Sequence, residues 1–321
     1  MSASLIENPS LQALPAAEFF NDVLKGLSCV VRSIPSKYFY DDIGSRIFDE
    51  ICELDEYYPT RVESEIMRSY GNEIAYRLGS DVRLVEYGSG SSLKTRILLD
   101  HLIDPSLYVP VDISHQHLAR TVDALARDYP LLCVAPVAAD FTRPFEVPKS
   151  DFEPRRTCVY FPGSTIGNFA QAEAIQLLAD IADRCECGDG LLIGFDLRKD
   201  IDVLETAYND RAGVTAAFNK NLLHRMNSEL GANFDIRQFG HHAFFNDAAG
   251  RIEMHLVSQL EQLVLIGNHP FRFDRGETIC TEYSHKYSIS DFEQMTAQVE
   301  WRCKETWSDS QNYFAVMYLE R

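Results

Sequence analysis

A glycine turn and the acids spaced behind it are the first residues in this chain that could do chemistry. The segment VRLVEYGSGSS reads as a short apolar strand entering a turn with Gly88 and Gly90, and KTRILLDHLI follows as a helix. Glycines there let a ligand approach the backbone, and the helix N-terminus offers unpaired N–H groups. Asp112 closes the next strand, SLYVPVD, 22 residues after Gly90. That is the spacing of an acid that holds ribose hydroxyls. Asp140, in VAADF, ends a third strand and can hold an adenine amino group, with Phe141 as apolar contact. Alone, each acid is as well explained as a helix cap. Two acids in register with a glycine turn point to a nucleoside ligand in the crevice at the carboxyl ends of a doubly wound sheet.

The turn is Gly-Ser-Gly-Ser-Ser, and position 93, where a third glycine would help cradle a pyrophosphate, is Leu. Glu86, two residues before Gly88, brings negative charge toward the turn. Both features disfavour a nicotinamide dinucleotide and suit a cationic sulfonium bearing an ammonium group, S-adenosylmethionine.

The elements that must position these residues alternate. After VRLVEY come SLYVPVDIS, LLCVAPVAAD, RTCVYFPGST and GDGLLIGFDL as strands, with helices over KTRILLDHLI, HQHLARTVDALARDY and residues 170–185. Such alternation predicts right-handed β-α-β units and a parallel sheet. Helical spacing is also present over 10–33 and 62–78, while SIPSKYFYDDIGSRIFDEICELDEYYPTR between them breaks any long period. The alternation stops near Lys199. Residues 200–286 mix a helical stretch, VTAAFNKNLLHRMNSEL, with strand-like HHAFFND, RIEMHLVSQL and QLVLIG. The aromatic tail ends in a strand able to rejoin the sheet, as in class I methyltransferases. The expected fold is α/β, a Rossmann-like class I methyltransferase sheet with a second, mixed α+β substrate domain. Residues 63–198 plus 287–321 form the first domain, and 1–62 plus 199–286 the second.

Bulk properties exclude several classes. The net charge of −18 opposes a phosphate-binding surface, so no nucleic acid partner is expected. No apolar run is long enough to span a bilayer, and the N-terminus lacks the basic and apolar regions of a secretory signal. Eight scattered cysteines, with only Cys185 and Cys187 close together and no second Cys/His pair at zinc spacing, read as free thiols in a reducing cytoplasm. No metal is expected, and adjacent His241 and His242 read as packing or surface residues. A monomer acting on a small molecule is expected.

Seven segments together resemble one family. They are KYFYDDIGSRIFDEI, EYYPTR, VEYGSGSSLKTR, FPGSTIGNF, AYNDRAGVTAAFNKNLL, RIEMHL and TEYSHKY, in consistent order from residue 37 to 287. The chain resembles the histidine-specific Nα-methyltransferases of ergothioneine biosynthesis. The resemblance implies three successive S-adenosylmethionine-dependent methylations of the histidine α-amino group, giving the trimethyl betaine hercynine. It implies that Gly88, Lys94, Asp112, Asp140 and Phe141 bind the methyl donor, with Gly90 in the same turn. Tyr57, Asn168 and Tyr208 would hold the substrate's amino and carboxylate groups. Tyr40 and Phe48 would line the methyl-receiving pocket; for proton loss, Tyr40, Tyr57 or a water chain could assist. Glu282 and Ser284 would read the imidazole, with Met254 packed on the ring. Residues two apart on a strand share a face, so Glu282 and Ser284 suit that task and Tyr283 should face away. Tyr87 departs from the aliphatic residue usual before the glycine turn, and 103–108 and 144–156 show little match.

Three other readings compete. A relative acting on tryptophan or a modified indole would not need the polar Glu282/Ser284 pair. A nicotinamide-dependent oxidoreductase is disfavoured by the incomplete glycine motif. A non-catalytic metabolite-binding protein is compatible with the sequence.

Overall fold

The computed structural model describes residues 16–90, 92–148 and 153–321. In chain order, α1 (Ala16–Leu27), a 3-10 turn (Ser36–Phe39), α2 (Asp42–Cys52) and α3 (Tyr58–Leu78) come first. Alternation follows: β1 (Val82–Tyr87), α4 (Leu93–Leu99), β2 (Leu107–Asp112), α5 (His115–Asp128), β3 (Val137–Ala138), β4 (Arg156–Phe161), a 3-10 turn (Thr165–Asn168), α6 (Gln171–Asp183) and β5 (Gly190–Asp196). Then come α7 (Ile201–Tyr208), α8 (Val214–Leu230), β6 (Phe239–Asn246), β7 (Arg251–Ser258), β8 (Gln262–Ile266), β9 (His269–Phe273) and β10 (Thr278–His285). Helix α9 (Ile289–Ala297), β11 (Arg302–Ser308) and β12 (Phe314–Glu320) complete the chain.

The chain divides into two compact units. The first holds Pro59–Arg198 and Lys286–Arg321, and the second holds the described residues up to Tyr58 together with Lys199–His285.

The first unit is built on a seven-stranded sheet in the order β11-β12-β5-β4-β1-β2-β3. Strands β1 to β5 run parallel, and β12 and β11 join antiparallel beyond β5. Strand β2 is buried along its whole length, as expected of a parallel strand covered on both faces. Strand β1 pairs with β2 on one side and β4 on the other, so the strand order reverses there. Loops at the carboxyl ends of these strands therefore border a crevice. The third strand is shorter than LLCVAPVAAD suggests. Only Val137 and Ala138 pair with β2, and Val134 makes an isolated bridge to Tyr108. Pro136 lies between them and lacks the N–H a ladder requires.

Two of the chain crossings between the units, after Arg198 and before Lys286, start from one place in this first unit. Leu197 bridges Tyr287 in parallel, Tyr287 N–H donates to Asp196, and Arg198 N–H donates to Tyr287. Beneath them Lys286 Nζ meets Asp196 Oδ2 at 2.7 Å, both side chains being fully buried.

In the second unit, β10, β7 and β6 form an antiparallel sheet, and α8 packs against β6 and β7. Strands β8 and β9 form a separate hairpin. Helix α2 lies inside the stretch whose periodicity looked broken. Asp41 caps it by accepting from Gly44 N–H at 2.7 Å. A β-carbon on Gly44 would lie 1.7 Å from the Phe39 carbonyl oxygen, so the turn into the helix requires glycine.

Candidate active site

In the first unit, the strand-to-helix turn after β1 is left-handed at Gly88 (φ +72°), Gly90 (φ +48°) and Ser92 (φ +56°). Asp112 ties it to the end of β2. Its Oδ2 accepts from Gly90 N–H at 3.0 Å, and its Oδ1 accepts from Ser114 N–H at 2.8 Å. Burial raises the Asp112 carboxyl above its usual range, against the lowering effect of these backbone donors. The acid thus organises the turn and stands at the carboxyl end of β2. Asp140 does similar local work: its Oδ1 accepts from Thr142 N–H at 3.0 Å and from the Thr142 hydroxyl. Phe141 stacks on Tyr87 with ring centres 5.4 Å apart, and a β-carbon on Gly88 would lie 3.8 Å from Phe141. An aromatic ring therefore flanks the bare backbone of the turn. These residues fit a nucleoside: half-buried glycine backbone without side chains, a carboxylate at the second strand end, and an aromatic wall beside the first.

Lys94, in the first turn of α4, is held by Glu63 of α3 at 2.6 Å, and Glu63 is fully buried. The same carboxylate accepts from Gly163 N–H at 2.9 and 3.1 Å. Glu63 therefore fixes both Lys94 and the loop after β4. Asn168 ends the 3-10 turn on that loop, which is pinned again where Ser164 Oγ accepts from Asp196 N–H at 3.0 Å.

Glu86 does not face a ligand as its place in the sequence suggested. It is fully buried and accepts from the Thr95 hydroxyl at 2.6 and 2.8 Å and from Tyr108. Burial pushes its carboxyl up to about 7, so its charge is not a fixed attraction for a sulfonium.

In the second unit the aromatic residues singled out from the sequence come together. Tyr40 meets Phe48 edge-on at 5.6 Å, Phe48 meets Tyr57 at 6.2 Å, and Tyr57 meets Tyr208 at 6.1 Å. Phe218 of α8 closes the group, 5.8 Å from both Tyr40 and Phe48. The sequence reading passed over Phe218, although it lies in the distinctive GVTAAFN stretch. Tyr208 then donates to Ser284 Oγ at 2.8 Å. The Tyr208 carbonyl is paired to His241 Nε2 at 2.9 Å, so His241 supports the end of α7 rather than the surface.

Glu282 pairs directly with Met254, and Ser284 with Ile252, so both polar side chains share the Met254 face of the sheet. A bulge between Cys280 and Glu282 makes this possible. In an unbroken strand Cys280 and Glu282 would share a face. The extra residue puts Cys280 on the opposite side, the side where plain alternation already places Tyr283. Tyr57 lies within electrostatic reach of Tyr208, Glu282 and Tyr40, and burial above all holds its phenol well above the usual value. Tyr57 therefore stays a neutral phenol near pH 7, so any help it gives to proton loss is as a hydrogen-bonding group.

Residues 19–321 match the family described as "Histidine-specific methyltransferase, SAM-dependent". The chain is 40% identical to the histidine N-alpha-methyltransferase of Mycolicibacterium smegmatis, with 97% of this chain and 98% of that protein aligned. It is 42% identical to the histidine N-alpha-methyltransferase of Mycobacterium tuberculosis, with 83% of each chain aligned. An L-tryptophan methyltransferase of Psilocybe serbica is 24% identical over 90% of this chain and 88% of its own. A family match over nearly the whole length, a sheet with its glycine turn at the point of strand reversal, and relatives at this identity lead to one conclusion: the chain belongs to the histidine-specific, S-adenosylmethionine-dependent methyltransferase family.

Proposed function

We propose that this protein methylates the α-amino nitrogen of L-histidine with S-adenosylmethionine, in three successive steps that yield hercynine, a reaction of ergothioneine biosynthesis. The observation that carries the choice of histidine is the Glu282/Ser284 pair on the Met254 face of the sheet. An imidazole presents one N–H and one lone pair, and a carboxylate beside a hydroxyl matches both. Leaving either ring nitrogen unpaired in a buried site costs about 1–3 kcal/mol.

Gly88, Gly90, Lys94, Asp112, Asp140 and Phe141 would hold the methyl donor, which supplies an electrophilic methyl group on a cationic sulfur. Tyr57, Asn168 and Tyr208 would orient the substrate's amino and carboxylate groups. Positioning of this kind can remove several kcal/mol from a displacement barrier. The attacking amine must be neutral, and an α-amino pKa of about 7.7–8.0 makes its deprotonation inexpensive. Tyr57 would accept a hydrogen bond from that nitrogen as a neutral phenol, while the proton passes to solvent or through Tyr40. Phe48, Tyr40 and Phe218 would face the growing ammonium group, where cation–π attraction favours the methylated product.

The polar pair weighs against an indole substrate, which offers no second ring nitrogen. No helix among the described residues is long and apolar enough to cross a membrane. The proposal places the enzyme in the cytoplasm as a monomer acting on an amino acid, without a nucleic acid partner. The free cysteines and the net charge of −18 support that placement. Incubation with radiolabelled S-adenosylmethionine and each of the twenty amino acids, with dimethylhistidine added, tests the reading. Label should enter histidine and dimethylhistidine. Label in tryptophan alone, or in none, would overturn it.

A further inference from the structure

The reverse face of the β10-β7-β6 sheet carries a polar cluster that the methyl transfer does not use. His242, His255 and Cys280 lie in one row across β6, β7 and β10, and Phe244, Glu253 and Tyr283 lie in the next. Glu253, His255 and Cys280 are buried, and one donor atom from each lies within 4.8 Å of the others.

The hydrogen bonding of His255 is incomplete. Its Nε2 is 3.1 Å from Glu253 Oε2, and Phe244 stacks on the ring. Its Nδ1 is enclosed and has no hydrogen-bond partner among the described residues. The other Glu253 oxygen is occupied, accepting from Asn246 and twice from Arg251. With Nε2–H donating to Oε2, a lone pair is left on Nδ1 inside the protein. Moving the proton to Nδ1 leaves that proton unpaired and sets a lone pair against a carboxylate. A group that accepts the Nδ1 lone pair, such as a cation, satisfies the ring and its neighbour together.

We propose that this face binds a soft divalent cation of the Zn2+ class through His255 Nδ1 and Cys280 Sγ, with Glu253 as the carboxylate behind the histidine. Imidazole and thiolate are the ligands that select such ions. A carboxylate on the second ring nitrogen fixes the tautomer and orients the ring. Coordination releases the Cys280 thiol proton to solvent. The remaining positions fall to water and to His242, exposed at the end of the same row. Cys280 borders the bulge that turns Glu282 to the other face, so a bound cation would clamp β7 to β10 at that bulge.

The test uses the full-length protein, stripped of metal with a chelator that is then removed, and without histidine, which itself binds metal. Titration with Co2+ should give a saturable thiolate-to-cobalt charge-transfer band in the near ultraviolet. The band should be lost in Cys280→Ser and in His255→Gln, and Zn2+ should displace it. Glu253→Gln should weaken Co2+ binding by about tenfold or more. Zn2+ should raise the melting temperature of the wild type and not that of either ligand variant. Absence of the band in the wild type, or its persistence in Cys280→Ser through Cys29, Cys187 or Cys303, would overturn the proposal. Should one ligand variant fail to fold, the other supplies the same comparison.

Discussion

Replacing Glu282 by alanine removes the acceptor proposed for one imidazole nitrogen and leaves the glycine turn of the other unit untouched. The expected result is a rise of about tenfold to a hundredfold in the histidine dissociation constant, the fold-change equivalent of about 1–3 kcal/mol. S-adenosylmethionine affinity should not change. Asp112→Ala should do the reverse, weakening S-adenosylmethionine binding while histidine affinity holds. Calorimetry on both variants with both ligands checks the pair, and a matching loss of both ligands in either variant would remove that residue from its assigned site. At this scale the sequence was most informative where residue type and spacing coincide. Glycines at 88 and 90 with an acid at 112 marked a turn that the structure ties together by a hydrogen bond. Glu86 misled because strand position does not reveal partners: Thr95 and Tyr108 claim its oxygens. Phe218 was passed over because a phenylalanine at helical spacing looks like any core residue.

Strand β1 and helix α4 are joined by the buried Glu86 carboxyl, and that joint should respond to pH. An unfolded glutamate ionises near 4.5, whereas Glu86 in the folded protein ionises at about 7. Below pH 4.5 the group is protonated in both states and its contribution is fully present. As pH rises from about 4.5 to 7 the unfolded chain loses the proton first, and stability falls by about 3 kcal/mol. Glu86→Gln keeps the shape and cannot ionise. Urea denaturation at pH 5 and pH 8 should show the wild type losing more stability than the variant over that interval. Equal losses would place the charge of Glu86 elsewhere. Strands and helices of the parallel sheet were readable from alternation because each repeats one packing problem. The bulge in β10 was not, since a one-residue shift leaves no mark on composition. Helix α2 was hidden because its start depends on the Asp41 cap and on the glycine that clears the Phe39 carbonyl.

For the whole molecule, the decisive interaction is the buried Asp196–Lys286 pair where the chain leaves and re-enters the first unit. Removing one partner strands a charge without water, at a cost of about 3–5 kcal/mol. Asp196→Ala should therefore lower stability by that amount in chemical denaturation. Asp196→Leu combined with Lys286→Met should recover most of the loss. A double variant as unstable as the single would mean that the pair contributes beyond mutual charge compensation. The sequence shows the alternation ending near Lys199 and suggests a return near 287. It gave no sign that the crossings meet. Their meeting has a consequence for descent within the family. Because Leu197 and Tyr287 are neighbours, everything from Lys199 to His285 is spliced into the parent sheet at a single seam. The cost of closing such a loop grows only slowly with its length. Recombination at that seam would carry Tyr208, Met254, Glu282 and Ser284 as one cassette, leaving Tyr40, Phe48 and Tyr57 behind. The groups proposed to read the side chain and most of those proposed to handle the amine can thus be inherited separately, a route by which one scaffold could acquire acceptors as different as imidazole and indole.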